Sequence, residues 1–342
     1  MTTREGIICA GNWIVDLVHE IAHWPAESDL VRIDGQDKGV GGGAANVVTA
    51  LTKLETGLPL WPMGAIGQDD FGKFIKAHCH ELGLPTHLIS EKPDTATAHT
   101  HVMSVTGRSR TFFYQGGSND VLSDQDFPTG VFESHKARIF YLGYLTLLAD
   151  LDRITDDGST PAARVLSRAG AAGMTTCVDL ASVDRPDFSK IVAATIPQID
   201  YLILNEIELA RASGQTPPVA SQTPNMQDMI EMAKALIKDG VRRAVVVHCQ
   251  QMALWIGVDG QVAHVPVVPL PRELVASPLG AGDAFCAGIL YALHEGWTPQ
   301  RALELGHAIA RASLRGVTAT EAIPNLNQLT DQLDRQTKGI TT

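Results

Sequence analysis

The stretch Ser277-Pro-Leu-Gly-Ala-Gly-Asp-Ala-Phe285 places two glycines directly before a carboxylate and a helical pattern. Apolar residues recur at helical spacing from Ala281 to Glu295, which predicts a helix N-terminus preceded by a glycine turn. The free N–H groups and positive dipole end at such a terminus bind anions, and glycine lets a phosphate approach the backbone. Beside a phosphate, Asp283 would serve as a general base that takes the proton of an attacking hydroxyl. An ordinary Asp cap on a glycine turn is the alternative that this motif alone leaves open.

Short apolar runs alternate with longer amphipathic segments along the rest of the chain. The strand-like runs are Gly6–Ala10, Ala137–Leu142, Thr175–Asp179, Tyr201–Leu204 and Ala244–His248. The helical segments include Ala44–Lys53, Asp70–Leu82, Pro161–Ala172 and Asn225–Lys238. This alternation predicts an α/β fold in which helices cover both faces of a mostly parallel sheet. We expect one domain over residues 1–342.

Two regions break this rhythm by alternating polar with apolar residues. Leu30–Val40 and Thr97–Tyr114 read as antiparallel strands with one solvated face, and the second contains a turn at Thr106–Arg108. We expect a small sheet whose strands come from about residues 13–40 and 96–116. Such a sheet could close as a lid over the carboxyl ends of the parallel strands, or extend an edge used for dimerisation. The two interpretations are compatible, and we expect a homodimer.

Composition excludes several classes of protein. The formal net charge of −11 argues against nucleic-acid binding, which requires a basic face, but leaves binding of a single nucleotide open. The five cysteines form no C-x-x-C pair and predict neither a disulfide framework nor a zinc site. No apolar run reaches the roughly 20 residues that a membrane span needs, and the N-terminus does not read as a signal peptide. We therefore expect a reduced, cytoplasmic enzyme with no membrane partner.

Further polar clusters follow the predicted strands. Asn12 and Asp16 come after the first strand, where a carboxylate at the strand tip would bind the hydroxyls of a polyol. Gly39–Asn46 is a glycine-rich approach to a helix, and either admits a ligand or packs tightly. Gly116–Asn119 follows an aromatic strand, and we expect Asn119 to close a substrate pocket.

Asn205 and Glu208 follow the Tyr201–Leu204 strand. Three residues apart in a first helical turn, they share one face and could orient the water ligands of Mg²⁺ around phosphates. A capped helix start is the plainer alternative.

In their order and spacing, the motifs GNxxxD, GGGAAN, GGSN, NxxE and GAGDAF resemble the ribokinase-like (PfkB) carbohydrate kinase family. The resemblance covers roughly Ile7 to Leu333, and Gly64–Gly72 (GAIGQDDFG) is similar to the family's GxxGxDxxG segment. It implies a Rossmann-like body with a small β lid, and transfer of the γ-phosphoryl group of ATP to a hydroxyl of a small sugar. A nucleoside kinase, or a non-catalytic sugar-binding protein on the same scaffold, are the alternatives.

The resemblance also implies roles for individual residues. It makes Asp283 the catalytic base, with an anion hole formed by Gly280, Ala281 and Gly282. It implies contacts to substrate hydroxyls from Asn12, Asp16, Gly42, Gly43 and Asn46. It implies a nucleotide site that comprises Asp179, Asn205, Glu208 and His248 together with Gly280 and Gly282. Glu208 would support Mg²⁺ indirectly, through water.

This sequence departs from the family pattern at two places. The family often reads DTTGAGD, where the acid and threonine belong to a loop linked to activation by monovalent cations. Ser277 and Leu279 occupy those positions here, and the loss of the carboxylate puts dependence on K⁺ in doubt. In the family, the turn after the strand that corresponds to Ala244–His248 usually contains glycine, but His248–Met252 has none. This departure could narrow the adenine site, change the phosphoryl donor, or lie just outside contact with the nucleotide.

Overall fold

The computed structural model describes residues 4–105, 110–218 and 224–339. Its strands are β1 (Ile7–Gly11), β2 (Ile14–Ile21), β3 (Ile33–Gly41), β4 (Leu60–Gly67), β5 (Ile89–Lys92), β6 (His99–Val105), β7 (Thr111–Gln115), β8 (Ile139–Leu145), β9 (Thr175–Leu180), β10 (Tyr201–Asn205), β11 (Ala244–His248), β12 (Met252–Gly257) and β13 (Val262–Pro266). Its α-helices are α1 (Gly43–Lys53), α2 (Asp70–Glu81), α3 (Thr129–His135), α4 (Pro161–Ala171), α5 (Phe188–Thr195), α6 (Glu206–Ala212), α7 (Met226–Lys238), α8 (Ala281–Glu295), α9 (Pro299–Ser313) and α10 (Leu326–Gly339).

A nine-stranded sheet in the order β13-β12-β11-β10-β9-β8-β1-β4-β5 forms the body of the molecule. The seven strands from β11 to β5 are parallel, while β12 and β13 add an antiparallel edge. The predicted mostly parallel sheet is therefore confirmed. The chain reverses its direction of winding beside β1, and the carboxyl ends of β8, β9, β10 and β11 lie together on one side of this switch point.

Successive residues of the central strands point alternately into two separate hydrophobic cores, one on each face of the sheet. Ile7 and Cys9 of β1 pack with α1, α2, α8 and α9 on one face. Ile8 and Ala10 pack on the other face, with α3 to α7. The near-continuous apolar runs in the sequence thus follow from burial of both sheet faces. Within the described ranges, no helix is long and apolar enough to cross a membrane.

A separate four-stranded sheet in the order β3-β2-β6-β7 lies beside the body. Its strands fall within the predicted ranges 13–40 and 96–116, apart from one residue at the end of β3. Two pairs are antiparallel, as expected, but the central pair β2–β6 is parallel. Strand β2 lies inside the predicted range 13–40, although within that range only Leu30–Val40 shows the alternation of a strand. The predicted turn at Thr106–Arg108 lies outside the described residues.

Candidate active site

A cleft of about 520 Å³ opens at the carboxyl ends of the parallel strands. Strand ends contribute Tyr144, Asp179, Asn205 and His248 to its walls. The N-termini of α1 and α8 enter from one side, and the four-stranded sheet forms another wall. Most of the residues predicted from sequence therefore meet in one place: Asp16, Gly42, Asn46, Asp179, Asn205, Glu208, His248, Gly280, Ala281, Gly282 and Asp283 line the cleft.

The N-terminus of α8 has no side-chain cap. Its N-cap residue is Gly280, in the left-handed region with φ 73°, and no side chain accepts from the first-turn amides. By contrast, α2, α4, α6, α7 and α9 each begin with a side-chain acceptor. The predicted glycine turn is thus present, and the alternative of an Asp cap is absent at this helix. The Ala281 N–H donates to the Pro278 carbonyl at 3.4 Å, whereas those of Gly282 and Asp283 have no partner in the described part of the chain. Both residues line the cleft, and free N–H groups at a helix N-terminus form an anion-binding site.

Asp283, in the first turn of α8, is only 4% exposed. Its Oδ2 atom accepts hydrogen bonds from Asn46 Nδ2 at 2.8 Å and from the Tyr144 hydroxyl at 3.0 Å. Burial raises the pKa of Asp283 to about 7, against the opposing effect of those two donors. A carboxyl with a pKa near neutrality is suited to taking up a proton and releasing it again.

Asp179, at the end of β9, is held rigidly. One oxygen accepts from the Tyr141 hydroxyl at 2.8 Å and the other from the backbone N–H of Tyr144 at 2.6 Å. Burial raises the pKa of Asp179 well above its ordinary value, and the nearby charge of Asp283 raises it further. The floor of the cleft is therefore crowded with carboxyl groups.

Asn205 and Glu208 form a capping box at the start of α6. The Asn205 side chain accepts from the backbone N–H groups of Ile207 and Glu208, and Glu208 Oε2 accepts from the Asn205 N–H at 2.9 Å. Ser182 donates to Glu208 Oε1 at 2.6 Å. The plainer alternative, a capped helix start, is thus correct, yet both residues also line the cleft. Burial raises the pKa of Glu208 to about 7.

His248, at the end of β11, lies against the anion-binding turn. Its ring packs against Phe285 at an interplanar angle of 37° with centroids 4.9 Å apart, and a Cβ added to Gly282 would meet its Cε1 atom at 3.3 Å. Behind Phe285, both ring nitrogens of His307 are buried without a hydrogen-bond partner. Burial lowers the pKa of both histidines to about 4, so both are neutral at physiological pH. His248 lines the cleft, whereas His307 does not, so the unpaired nitrogens of His307 belong to the core behind Phe285.

The four-stranded sheet contributes a polar and aromatic wall of Asp16, Thr100, Phe112 and Tyr114. Asp16 lies on β2 in this sheet, which corrects the expectation that it stands at the tip of the first strand of the body. The chain turns directly after β1 and begins β2 at Ile14, so Asp16 reaches the cleft from the opposite side. Burial raises its pKa to about 6, although a hydrogen bond from Thr100 and the charge of Arg110 oppose the shift.

Three predicted substrate contacts do not line the cleft. Asn12 is fully buried and donates to the Leu147 carbonyl at 3.0 Å. Asn119 is also fully buried, and its amide pairs with the backbone of Trp13. Gly43 packs against the ring of Tyr144. A Cβ atom at residue 43 would lie only 2.7 Å from Tyr144 Cδ1, so glycine leaves the space that this ring occupies. Asn12, Asn119 and Gly43 therefore support the residues of the cleft wall without lining the cleft themselves.

Sequence reasoning missed Tyr144 and Ser182 entirely. Tyr144 lies just beyond the predicted strand Ala137–Leu142, where β8 loses its regular register against β9. The only signal in the sequence was that Tyr144 follows Gly143 near the end of a strand. That pattern does not show that Tyr144 adopts a φ of 57°. Ser182 also follows a strand end, and only the fold brings it to Glu208.

The two departures from the family pattern adjoin the cleft, although neither Ser277 nor any of residues 249–252 lines it. Pro278 and Leu279 line it, and Ser277 Oγ accepts from the Leu279 N–H at 3.1 Å within the turn. The glycine-free segment after His248 is a tight hairpin, in which the Cys249 N–H donates to the Met252 carbonyl at 2.9 Å.

Comparison with known proteins agrees with this geometry. A family model described as pfkB family carbohydrate kinase matches residues 5–326. A ribokinase from Arabidopsis thaliana is 23% identical over 327 residues, covering 93% of this chain and 78% of the relative. A deoxyribokinase from Salmonella typhi is 23% identical over 328 residues, covering 96% of this chain and 98% of the relative.

Solved structures show the same fold. The structure of Arabidopsis thaliana ribokinase complexed with ribose and ATP matches with a TM-score of 0.76 at 21% identity, covering 97% of this chain and 99% of that chain. Ribokinase from Giardia lamblia matches with a TM-score of 0.78 at 19% identity, over 97% and 99% of the two chains. The ribokinase-like fold expected from the motifs is confirmed. Since the family model spans nearly the whole chain, the protein belongs to the pfkB family of carbohydrate kinases, phosphotransferases with an alcohol group as acceptor.

Proposed function

We propose that the protein transfers the γ-phosphoryl group of ATP to a hydroxyl of a small sugar. One observation carries this proposal: the uncapped N-terminus of α8 presents an anion site, and Asp283 lies in the same turn. Phosphoryl transfer requires a cradle for the transferring group and a base for the acceptor, with little covalent chemistry from the protein. The two requirements meet within four residues, Gly280 to Asp283.

Phosphoryl transfer in this site forms one P–O bond and breaks another. The acceptor oxygen attacks the γ-phosphorus and forms the new P–O bond, while its proton passes to Asp283. The bond between the γ-phosphorus and the β–γ bridging oxygen breaks, and ADP leaves with that electron pair. The amides of the α8 first turn stabilise the charge on the transferring group, with Gly280, Ala281 and Gly282 leaving the backbone bare for close approach.

The donor set fits a magnesium ion held largely by water and phosphate. In the described part of the chain no cluster of three or more metal-ligating side chains forms a cage. Mg²⁺ usually binds one or two carboxylates and keeps several waters, and Glu208 beside Asn205 offers such a group. Burial is the main cause that raises the pKa values of Asp179 and Glu208, and the charge of Asp283 raises both further; a cation would relieve this repulsion. A bound Mg²⁺ would neutralise the charge of the phosphates.

The acceptor half of the cleft suits a polyol. Asp16, Thr100 and Asn46 offer acceptors and donors to adjacent hydroxyls, from the two opposite walls. The Arabidopsis ribokinase structure holds ribose and ATP, which supports a small sugar as acceptor here. A nucleoside is the second candidate, because Phe112 lines the cleft and is 53% exposed, so its ring is free to stack on a base.

The four-stranded sheet serves in this proposal as a lid and as a dimerisation surface. On its outside, Phe113 of β7 stacks on Trp24, in the segment after β2, with ring centroids 6.2 Å apart, and the two residues are 51% and 44% exposed. Exposed aromatic residues on a sheet with open edges favour pairing with a second copy. We further propose that the homodimer works in the cytoplasm, where its five free cysteines stay reduced.

The experiment is an ADP-release assay with ATP and a panel of furanoses, ketoses and nucleosides, with and without Mg²⁺. We expect one acceptor class to stimulate ADP release, and chelation of Mg²⁺ to abolish it. Preference for nucleosides over free sugars would select the second candidate. No stimulated release, together with no Mg·ATP-dependent thermal stabilisation, would leave a non-catalytic sugar-binding protein and overturn the proposal.

A further inference from the structure

The two oxygens of Asp283 have different surroundings. Oδ2 accepts both hydrogen bonds, from Asn46 at 2.8 Å and from Tyr144 at 3.0 Å. Oδ1 has no hydrogen-bond partner among the described residues, although Asp283 lines the cleft. The protein thus fixes one oxygen and leaves the other to a ligand.

The position of the Tyr144 hydroxyl is imposed by unusual backbone geometry. Tyr144 has φ 57° and Thr146 has φ 82°, a region that non-glycine residues rarely adopt. Regular pairing of β8 with β9 breaks between Leu142 and Leu145, and in this gap the Tyr144 N–H donates to Asp179 Oδ1 at 2.6 Å. Strained backbone of this kind persists where the surroundings hold it, and it clusters at functional sites.

Three residues, Asp152, Arg185 and Gly43, hold the strained turn. Asp152, 1% exposed, accepts from the N–H groups of Thr146 and Leu148 at 3.0 and 2.9 Å. Arg185 donates to Asp152 at 3.1 Å and to the Thr146 carbonyl at 3.0 Å. The Tyr144 ring lies directly over the bare Cα of Gly43. The position of the Tyr144 ring is therefore fixed both by the held backbone of the turn and by the packing of the ring on Gly43.

We propose that Tyr144 is a positioning residue whose hydroxyl holds Oδ2 of Asp283, so that Oδ1 is presented to the acceptor hydroxyl. This rests on the proposed role of Asp283 as the base. Burial keeps the Tyr144 hydroxyl protonated by raising its pKa well above the usual value, so it remains a donor across the working pH range. A donor to the ionised carboxyl also opposes the rise in its pKa that burial causes.

Several other titratable groups face Asp283, and the test must separate their effects. They are Asp16 on β2, Tyr141 on β8, Asp179 on β9, Glu208 on α6 and Cys286 on α8. Tyr141 provides a matched control, because its buried hydroxyl donates to Asp179 and not to Asp283.

The test is the pH profile of kcat and KM for Tyr144→Phe with Mg·ATP and the acceptor from the panel. We expect kcat to fall about tenfold, since a hydrogen bond to a charged group is lost, and the acidic limb to move to higher pH. Tyr141→Phe should not move that limb to higher pH. If the hydroxyl merely occupies the place of the acceptor, Tyr144→Phe will lower KM and leave kcat and the limb unchanged, which overturns the proposal.

Two further measurements keep the outcome unambiguous. Gly43→Ala retains the hydroxyl but pushes the ring away, so it should move the limb in the same direction, even if Tyr144→Phe folds poorly. Titration of the Asp283 carboxyl by ¹³C NMR, assigned by comparison with Asp283→Asn, tests the hydrogen bond without turnover. A higher pKa in Tyr144→Phe supports the contact even if another residue proves to be the base, and an unchanged pKa contradicts it.

Discussion

The side-chain amide of Asn46 in α1 donates a 2.8 Å hydrogen bond to Oδ2 of Asp283 in α8, across 237 positions of sequence. Both helices begin at glycine N-caps without side-chain acceptors, and both glycines line the cleft. The contact joins the glycine-rich segment to the carboxyl proposed as base. Substitution of Asn46 tests how strongly this hydrogen bond affects the pKa of Asp283.

Asn46→Asp should impair the enzyme although the two side chains have nearly the same shape. It replaces the donor with a second carboxylate beside Asp283, and the pair then shares a proton. We expect the acidic limb of kcat/KM to rise by about one pH unit or more, since like charges at this distance raise a pKa strongly.

Asn225→Asp is the matched control, because Asn225 is an exposed N-cap residue of α7 outside the cleft. Its pH profile should match that of the wild type. Equal profiles for the two variants would show that Asn46 does not influence the base.

Gly280→Ala should destabilise the protein and weaken ATP binding. Residue 280 has φ 73°, and an added Cβ would lie 2.2 Å from Ala319 Cβ, so both backbone strain and overpacking oppose the change. We expect a loss of about 3 kcal/mol in the free energy of unfolding, measured by urea denaturation.

Gly296→Ala separates these effects at the other end of α8. Gly296 has φ 69° but nothing within 4 Å of an added Cβ, so only the backbone cost of about 1 kcal/mol applies. A Gly280→Ala variant no less stable than Gly296→Ala would contradict the tight packing against Ala319.

Asp283→Asn should stabilise the folded protein at pH 8. The pKa of Asp283 is about 7 in the folded state against an ordinary 3.8, so the folded state binds the proton more tightly and ionisation penalises folding. The penalty grows as pH rises from about 4 to 7 and is complete above 7. At ~1.4 kcal/mol per pKa unit, and allowing for the cost of burying the amide, we expect a gain of about 2 kcal/mol.

The stabilisation by Asp283→Asn should shrink as the pH falls from 7 towards 4, where wild-type Asp283 carries the proton in both states. Thermal denaturation over this range measures the difference. A difference that does not vary with pH would show that Asp283 is not the perturbed carboxyl.

Turnover should not depend on K⁺. A cation site in this loop needs oxygen donors, but Leu279 offers an apolar side chain, and the Ser277 hydroxyl accepts from the Leu279 N–H. Initial rates in potassium and tetramethylammonium buffers of equal ionic strength should agree. A rate that rises and saturates with K⁺ would contradict this expectation.

The fold was largely accessible from the sequence because burial of both sheet faces leaves continuous apolar runs that periodicity detects. Helix α8 spans the predicted Ala281–Glu295, and β11 spans the predicted Ala244–His248. Strand β2 lies inside the predicted range 13–40, but its own bounds were not predicted, because Ile14–Ile21 belong to a sheet that is buried unevenly and their pattern is irregular.

The candidate site was accessible from the sequence where short motifs contain the chemistry, as around Asp16, Asn46 and Asp283. Gly280 to Asp283 combine an anion site and a carboxyl in four residues, and a sequence pattern can show that. The position of the Tyr144 hydroxyl depends on a break in strand pairing and on a positive φ. Its hydrogen-bond partner, Asp283, lies 139 positions away in the sequence. Local patterns carry no information on such contacts, and the same holds for the pairing of Ser182 with Glu208.

The role of Asp283 as the base is tested by the turnover of Asp283→Asn at saturating Mg·ATP and acceptor. We predict that kcat falls by about 10³, within the range of a lost general base, while thermal stabilisation by Mg·ATP persists because the α8 amides remain. A kcat within a fewfold of the wild-type value would contradict the assignment of Asp283 as the base.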